Sequence, residues 1–205
     1  RSADLEIAKF LHSSGMLQRL CYKYEIERNL RTKDYAGFQL LGLNDYSGQG
    51  TALVGVLNVF WREKGYCTAR DWTEFCDTLV PLARLPKFVY TNDEELRVPI
   101  EVYYAGRSQL SDVPVSYSVS VNGEEKVNTT LGLQTIPVGK CTSVGEMVYS
   151  LHDIQVPAKL TLTVQVGNSL NHWEVWCYDS KPILLSPNHI HLADTLDHHA
   201  LQVLK

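Results

Sequence analysis

The constraint that governs this chain is a change of hydrophobic period after "LARLPK", residues 82–87. Upstream, apolar residues recur at helical spacing. Downstream, they alternate one by one, as half-buried strands require. "FVYT" and "LRVPIEVYYAG" read as strands, and "VSYSVSVNGEEKVNTT" as a hairpin with Asn122-Gly123 at its tip. Asn-Gly is the preferred pair for a tight type I′ turn, because both positions need positive φ. In "LTLTVQVG", Leu160, Leu162, Val164 and Val166 share one face, and Thr161, Thr163 and Gln165 the other. "HWEVWCYD" sets Trp173, Val175 and Cys177 together and Trp176 opposite. Several such strands across residues 86–185 predict an immunoglobulin-like β-sandwich, without the antibody spacing of Cys, Trp and Cys.

Residues 1–85 predict a different organisation. Leu5–Phe10 reads as a short helix closed by "HSSG", and Met16–Arg31 as a second helix. Leu17, Leu20, Cys21, Tyr24 and Leu30 form the apolar face of that second helix, with Lys23, Glu27 and Arg28 elsewhere. "GFQLLGL", residues 37–43, is a continuous apolar run suited to a strand buried on both faces. "NDYSGQG" then reads as a polar βα loop, and Ala52–Trp61 as an apolar helix with Thr51 as its cap. Thr68 caps a further short helix that holds Asp71 in its first turn. Residues 186–205 change character again, to a strand and a helix capped by Thr195 or Asp197, and read as the start of an incomplete domain.

The net charge of −4 and the lack of a Lys/Arg cluster argue against a nucleic-acid face. No apolar run reaches the ~20 residues that span a bilayer, so no membrane partner is expected. The five cysteines are widely spaced and contain no CxxC pair. They read as small buried hydrophobes, with a disulfide between two of them left open.

The stretches "YAGFQLLGLNDYSGQGTALVGVLNVFW" and "VPLARLPKFVYTNDEEL" resemble the end of the catalytic barrel in large bacterial glycoside hydrolases of family 2, the β-galactosidase and β-glucuronidase group. The resemblance covers roughly residues 5–185. It implies an α+β, multi-part fold: the closing helices and last strand of a TIM barrel, then the sandwich. Residues 37–43 would be the eighth barrel strand, with Asn44 and Asp45 at its carboxyl end, where barrels place their chemistry. Leu41 stands where β-glucuronidase-like members carry a sugar-lining tryptophan. The resemblance also implies a retaining mechanism with two carboxyl groups about 5 Å apart. In that family they come from strands four and seven, upstream of Arg1. No catalytic residue, cofactor or metal is therefore assigned here, and carbohydrate would be met through the complete protein. The parent would work in the periplasm or outside the cell.

The candidate substrate-binding residues are Asn44, Asp45, Gln49 and Trp176. Asn44 and Asp45 could hold a substrate hydroxyl; alternatively, Asp45 satisfies loop amides near Ser47 and Gly48. Trp176 and Tyr178 form an outward aromatic stripe that could stack on sugar or pack against a neighbouring domain. A non-catalytic carbohydrate-binding module is thus the alternative function. Glu25 and Glu27 lie about 200° apart on a helix and cannot flank one bond; both read as solvated charges. His189, His191 and His198, with Asp194 or Asp197, are a metal arrangement that strand and helix have no need to bring together. Asn128-Thr129-Thr130 is a lone glycosylation sequon. A barrel strand without neighbours and a bare apolar helix face predict self-association through residues 5–60.

Overall fold

The computed structural model of the chain describes residues 2–48, 53–181, 193 and 195–204. It is mostly β-sheet with few helices. Helix α1, Ser2–Arg31, is followed by an irregular segment and the short helix α2, Ala69–Thr73. Eight strands come next: β1 (Leu79–Ala83), β2 (Val89–Thr91), β3 (Glu95–Tyr104), β4 (Leu110–Val121), β5 (Glu124–Ile136), β6 (Lys140–Ser150), β7 (Ala158–Val166) and β8 (Ser169–Tyr178). Helix α3 spans His198–Val203.

The strands form two sheets, ordered β1-β3-β6 and β2-β8-β7-β4-β5. Alternation sets their facing. Along β7, Leu160, Leu162, Val164 and Val166 are fully buried, and the core they enter includes Ile100 and Val102 of β3 and Trp173 and Val175 of β8. The hairpin turn is as expected: Asn122 and Gly123 have φ of 51° and 87°, joining β4 to β5. β1 was not foreseen. Four of its five residues are buried, and it pairs antiparallel with β3. Pro81 breaks the alternation in sequence, yet a residue without N–H is tolerated in a strand at a sheet's edge.

The N-terminal expectations fare differently. α1 is one helix, and "HSSG" does not end it. A lone glycine costs a helix only about 1 kcal/mol. Gly15 serves instead as a landing place, where an added Cβ would sit 2.3 Å from the Tyr66 ring. Residues 37–43 form no strand, and Leu41 is 96% exposed. A strand of a parallel sheet draws its backbone hydrogen bonds from neighbours, and among the described residues one such bond reaches this run, from the Leu57 amide to the Leu43 carbonyl at 3.0 Å. Residues 53–61 form no helix either. Asn58 Oδ1 accepts from the amides of Phe60 and Arg62, and the Asp45 carboxylate takes the Gly55 amide. Side chains that capture nearby amides compete with helix formation. Two isolated bridges, Asn44 to Leu57 and Leu57 to Glu63, are what order this segment has. No barrel segment is therefore shown. α2 does follow expectation: Thr68 and Asp71 close a reciprocal capping box. In the last part, Asp197 caps α3, while the strand expected around His189 and His191 lies outside the described residues.

The facing of β7 yields a test. Leu162→Ala should cost about 2–5 kcal/mol, while Thr163→Ala, one residue on, should cost under about 1 kcal/mol. Urea denaturation of the two variants checks this; equal losses would deny the assigned register.

Candidate functional site

α1 packs against the sandwich with its charged side, the reverse of the sequence expectation. Lys23 and Glu27 are 2% and 1% exposed, whereas Leu17 is 63% exposed. The buried positions Gly15, Arg19, Lys23, Ile26 and Glu27 fall on one helical face. Lys23 Nζ lies 2.8 Å from Glu27 Oε1 and also donates to Asn171 Oδ1. It sits 4.7 Å from the centre of the Trp173 ring, within cation–π range. Asn171 Nδ2 donates to Glu27 Oε1 at 2.9 Å and to the Pro81 carbonyl at 2.8 Å. Trp173 Nε1 donates to Glu27 Oε2 at 3.0 Å. An Arg31 guanidinium nitrogen reaches the same oxygen at 3.2 Å and the Ala83 carbonyl at 2.6 Å. Burial pushes the Lys23 pKa down, against the pull of Glu27.

This network also closes the free edge of β1. The Pro81 and Ala83 carbonyls would otherwise face outward without strand partners, and side chains of β8 and α1 satisfy them instead. Arg19 extends the contact to α2, 3.3 Å from Asp71 and 3.8 Å from Glu74. Glu74 in turn lies 2.9 Å from His172 Nδ1 on β8. The sequence reading of Glu27 as a solvated charge is thus overturned. A signal was present: Arg19, Lys23, Glu27 and Arg31 recur every four residues, a charged stripe of three cations and one carboxylate with Ile26 beside it.

The residues singled out from sequence do not converge. Asp45 is 5% exposed, and its Oδ1 accepts from the Gly55 amide at 2.9 Å and Lys64 Nζ at 2.8 Å. It organises its loop, through residues 55 and 64 rather than Ser47 and Gly48. The Asn44 amide is turned to the Asp45 carbonyl at 3.0 Å. Beside them, Tyr66 Oη donates to Gln18 Oε1 at 2.8 Å, and Gln18 reaches the Val54 carbonyl at 2.5 Å. Gln49, His189, His191 and Asp194 lie outside the described residues. Trp176 and Tyr178 point outward from β8, 39% and 48% exposed, and Trp176 is held by a backbone bond to the Phe88 carbonyl. Where α1 meets the β1–β2 connection, a cleft of about 720 Å³ opens, lined by Tyr24, Arg28, Arg31, Arg84, Phe88 and Trp173 among others. Among the described residues, no three His, Cys, Asp or Glu side chains are grouped to hold a metal, and no helix is long and apolar enough to cross a membrane.

Comparison with known proteins locates the fold. The family model described as "Domain of unknown function (DUF8488)" matches residues 94–179. No curated protein matches the sequence. Among solved structures, the chain is similar to the exo-chitosanase CsxA of Amycolatopsis orientalis, at 11% identity and a TM-score of 0.50. That match covers 82% of this chain and 19% of the chitosanase. A β-glucuronidase of Parabacteroides merdae matches at 13% identity and a TM-score of 0.37, over 49% of this chain and 14% of its own. The alkylpurine DNA glycosylase AlkC of Pseudomonas fluorescens matches at 12% identity and a TM-score of 0.40, over 54% and 33%. The chain thus spans a third or less of the length of each of these three proteins. The fold neighbours include glycoside hydrolases, and the likeness at these identities is one of fold.

Two outcomes follow from the buried contact. Glu27→Gln leaves Lys23 buried without its counter-charge and should cost about 3–5 kcal/mol. Adding Lys23→Met to it should recover part of that loss in urea denaturation; a double variant worse than either single one would contradict the pairing. Thiol labelling tests the helix orientation. Cys21 is exposed and all five cysteines are free, whereas burial pushes Cys67 up to about 11 and Cys141 to about 12. At pH 8 the native chain should therefore label at Cys21 first, and at Cys67 and Cys141 only on unfolding.

Proposed function

We propose that this chain is the closing part of a glycoside hydrolase acting on β-linked sugars, that its role there is structural, and that the catalytic carboxyl pair is supplied by other residues of the enzyme. The observation that carries the reading is the match to the exo-chitosanase over 82% of the chain, more than the sandwich strands alone can account for. The likeness therefore includes part of the segment before the sandwich, where the sequence resembles the end of a barrel. Exposed surface supports it. Leu5, Phe10, Leu17, Leu53, Phe60 and Trp61 stand among the exposed apolar side chains. Monomers rarely leave so much apolar surface open unless something covers it. Under this reading the barrel covers it, and residues 37–43 gain the strand neighbours that they lack here.

A second reading rests on a different observation. Trp176 and Tyr178 are exposed on one face of β8, two residues apart, a spacing that presents two rings side by side. Sugar faces stack on such rings, so the sandwich would bind glycan without turning it over.

The isolated chain should show no turnover of aryl β-glycosides. It should also self-associate in light scattering, through the apolar surface of residues 5–60. Turnover, or a monomer at high concentration, would overturn the first reading. Retention on insoluble polysaccharide that is saturable and lost in Trp176→Ala would establish the second.

A further inference from the structure

We propose that the cleft between α1 and the β1–β2 connection is a binding site for a carboxylate carried on a ring. At about 720 Å³ it has the size of a small-ligand pocket. Its charge is one-sided. Arg28, Arg31 and Arg84 line it together with a single carboxylate, Glu27. Glu27 has nothing left to give, because Lys23, Asn171, Trp173 and Arg31 already occupy both of its oxygens. Behind the wall, Glu101 is shared between Arg84 at 2.8 Å and Arg31 at 3.8 Å, so one carboxylate serves two guanidiniums. Arg28 has only Glu25, at 3.9 Å and with both side chains largely exposed, a pairing worth little in water. The cleft is thus a cationic surface on a chain of net charge −4.

The Arg31 Nε faces Glu101 at 3.8 Å, beyond hydrogen-bond reach, so the guanidinium charge is only partly compensated from behind. Guanidinium forks match carboxylate oxygens in pairs, which a point charge cannot do. The other walls are aromatic. Tyr24 and Phe88 meet edge to face at 5.3 Å, and both border the cleft with Trp173. A lining that combines rings with guanidiniums suits a flat or puckered ring bearing an acid group. A sugar acid and an aryl acid share that chemistry. The site does not depend on the hydrolase reading, and the probes below carry no glycosidic bond.

The test is a titration of the whole chain, following the Trp173 indole N–H by nitrogen–proton NMR. Glucuronate, benzoate, glucose and inorganic sulfate are added separately. Saturable shifts with glucuronate or benzoate, at least tenfold tighter than glucose or sulfate, are expected. The tighter of the two acids identifies the ring as sugar or aryl. Arg28→Ala with Arg84→Ala, both at solvent-reached positions, should weaken the better acid at least tenfold while the resting spectrum of Trp173 is kept. Binding of glucose or sulfate as tight as either acid, no saturable shift with either acid, or undiminished binding in the double variant would each overturn the proposal.

Discussion

The carboxylate of Glu27 is the point on which the arrangement turns. It is buried between a helix and a sandwich, and donors from both meet on it: Lys23 and Arg31 from α1, Asn171 and Trp173 from β8. Burying a carboxylate costs several kcal/mol unless it is paired and fully hydrogen-bonded. Here it is both, so geometry, rather than apolar area, decides how α1 sits. The same groups close the exposed edge of β1, which makes the helix a part of the sandwich instead of an appendage. Specificity is the natural consequence of such a contact: a helix held by apolar area alone can slide or turn, whereas this one is set by the donors that meet on the Glu27 carboxylate.

That setting has a cost elsewhere. A helix that buries its charged stripe must turn its apolar side outward, and Leu17 and Phe10 are accordingly exposed. The irregular segment after α1 adds Leu41, Leu53 and Phe60 to this surface. Within it, Asp45 and Lys64 tie the loop together at 2.8 Å. The order of the loop thus comes from one ion pair, a few captured amides and two isolated bridges at Leu57.

The sandwich was legible because alternation, turn chemistry and burial agree there. Leu160 through Val166 and the Asn122-Gly123 turn leave little room for another fold. β1 was not legible, since Pro81 and Ala83 obscure its period and its burial depends on α1 covering it. α1 misled because apolar spacing at Leu17, Leu20 and Tyr24 is normally the signature of a core face. What overrode it was the stripe from Arg19 to Arg31, whose value appears only when Asn171 and Trp173, well over a hundred positions away, are brought opposite. Residues 37–43 and 53–61 misled for the converse reason: an apolar run alone does not make a strand or a helix, and here Asn58 and Asp45 capture the amides that a helix would use. Of the candidate site residues, Asp45 bonds the Gly55 amide and Lys64 instead of the Ser47 and Gly48 amides that its alternative reading names, and the arginine-lined cleft was out of reach because it joins residues from α1 and the β1–β2 connection.

Helix α1 is anchored along its second half through charge and is exposed along its first. Hydrogen exchange, followed peptide by peptide at a concentration low enough to keep the chain monomeric, tests this most directly. Amides of residues 19–31 should exchange as slowly as those of β7 and β8, and amides of residues 5–14 faster by orders of magnitude. Uniform exchange along α1, fast or slow, would contradict the anchor at Glu27.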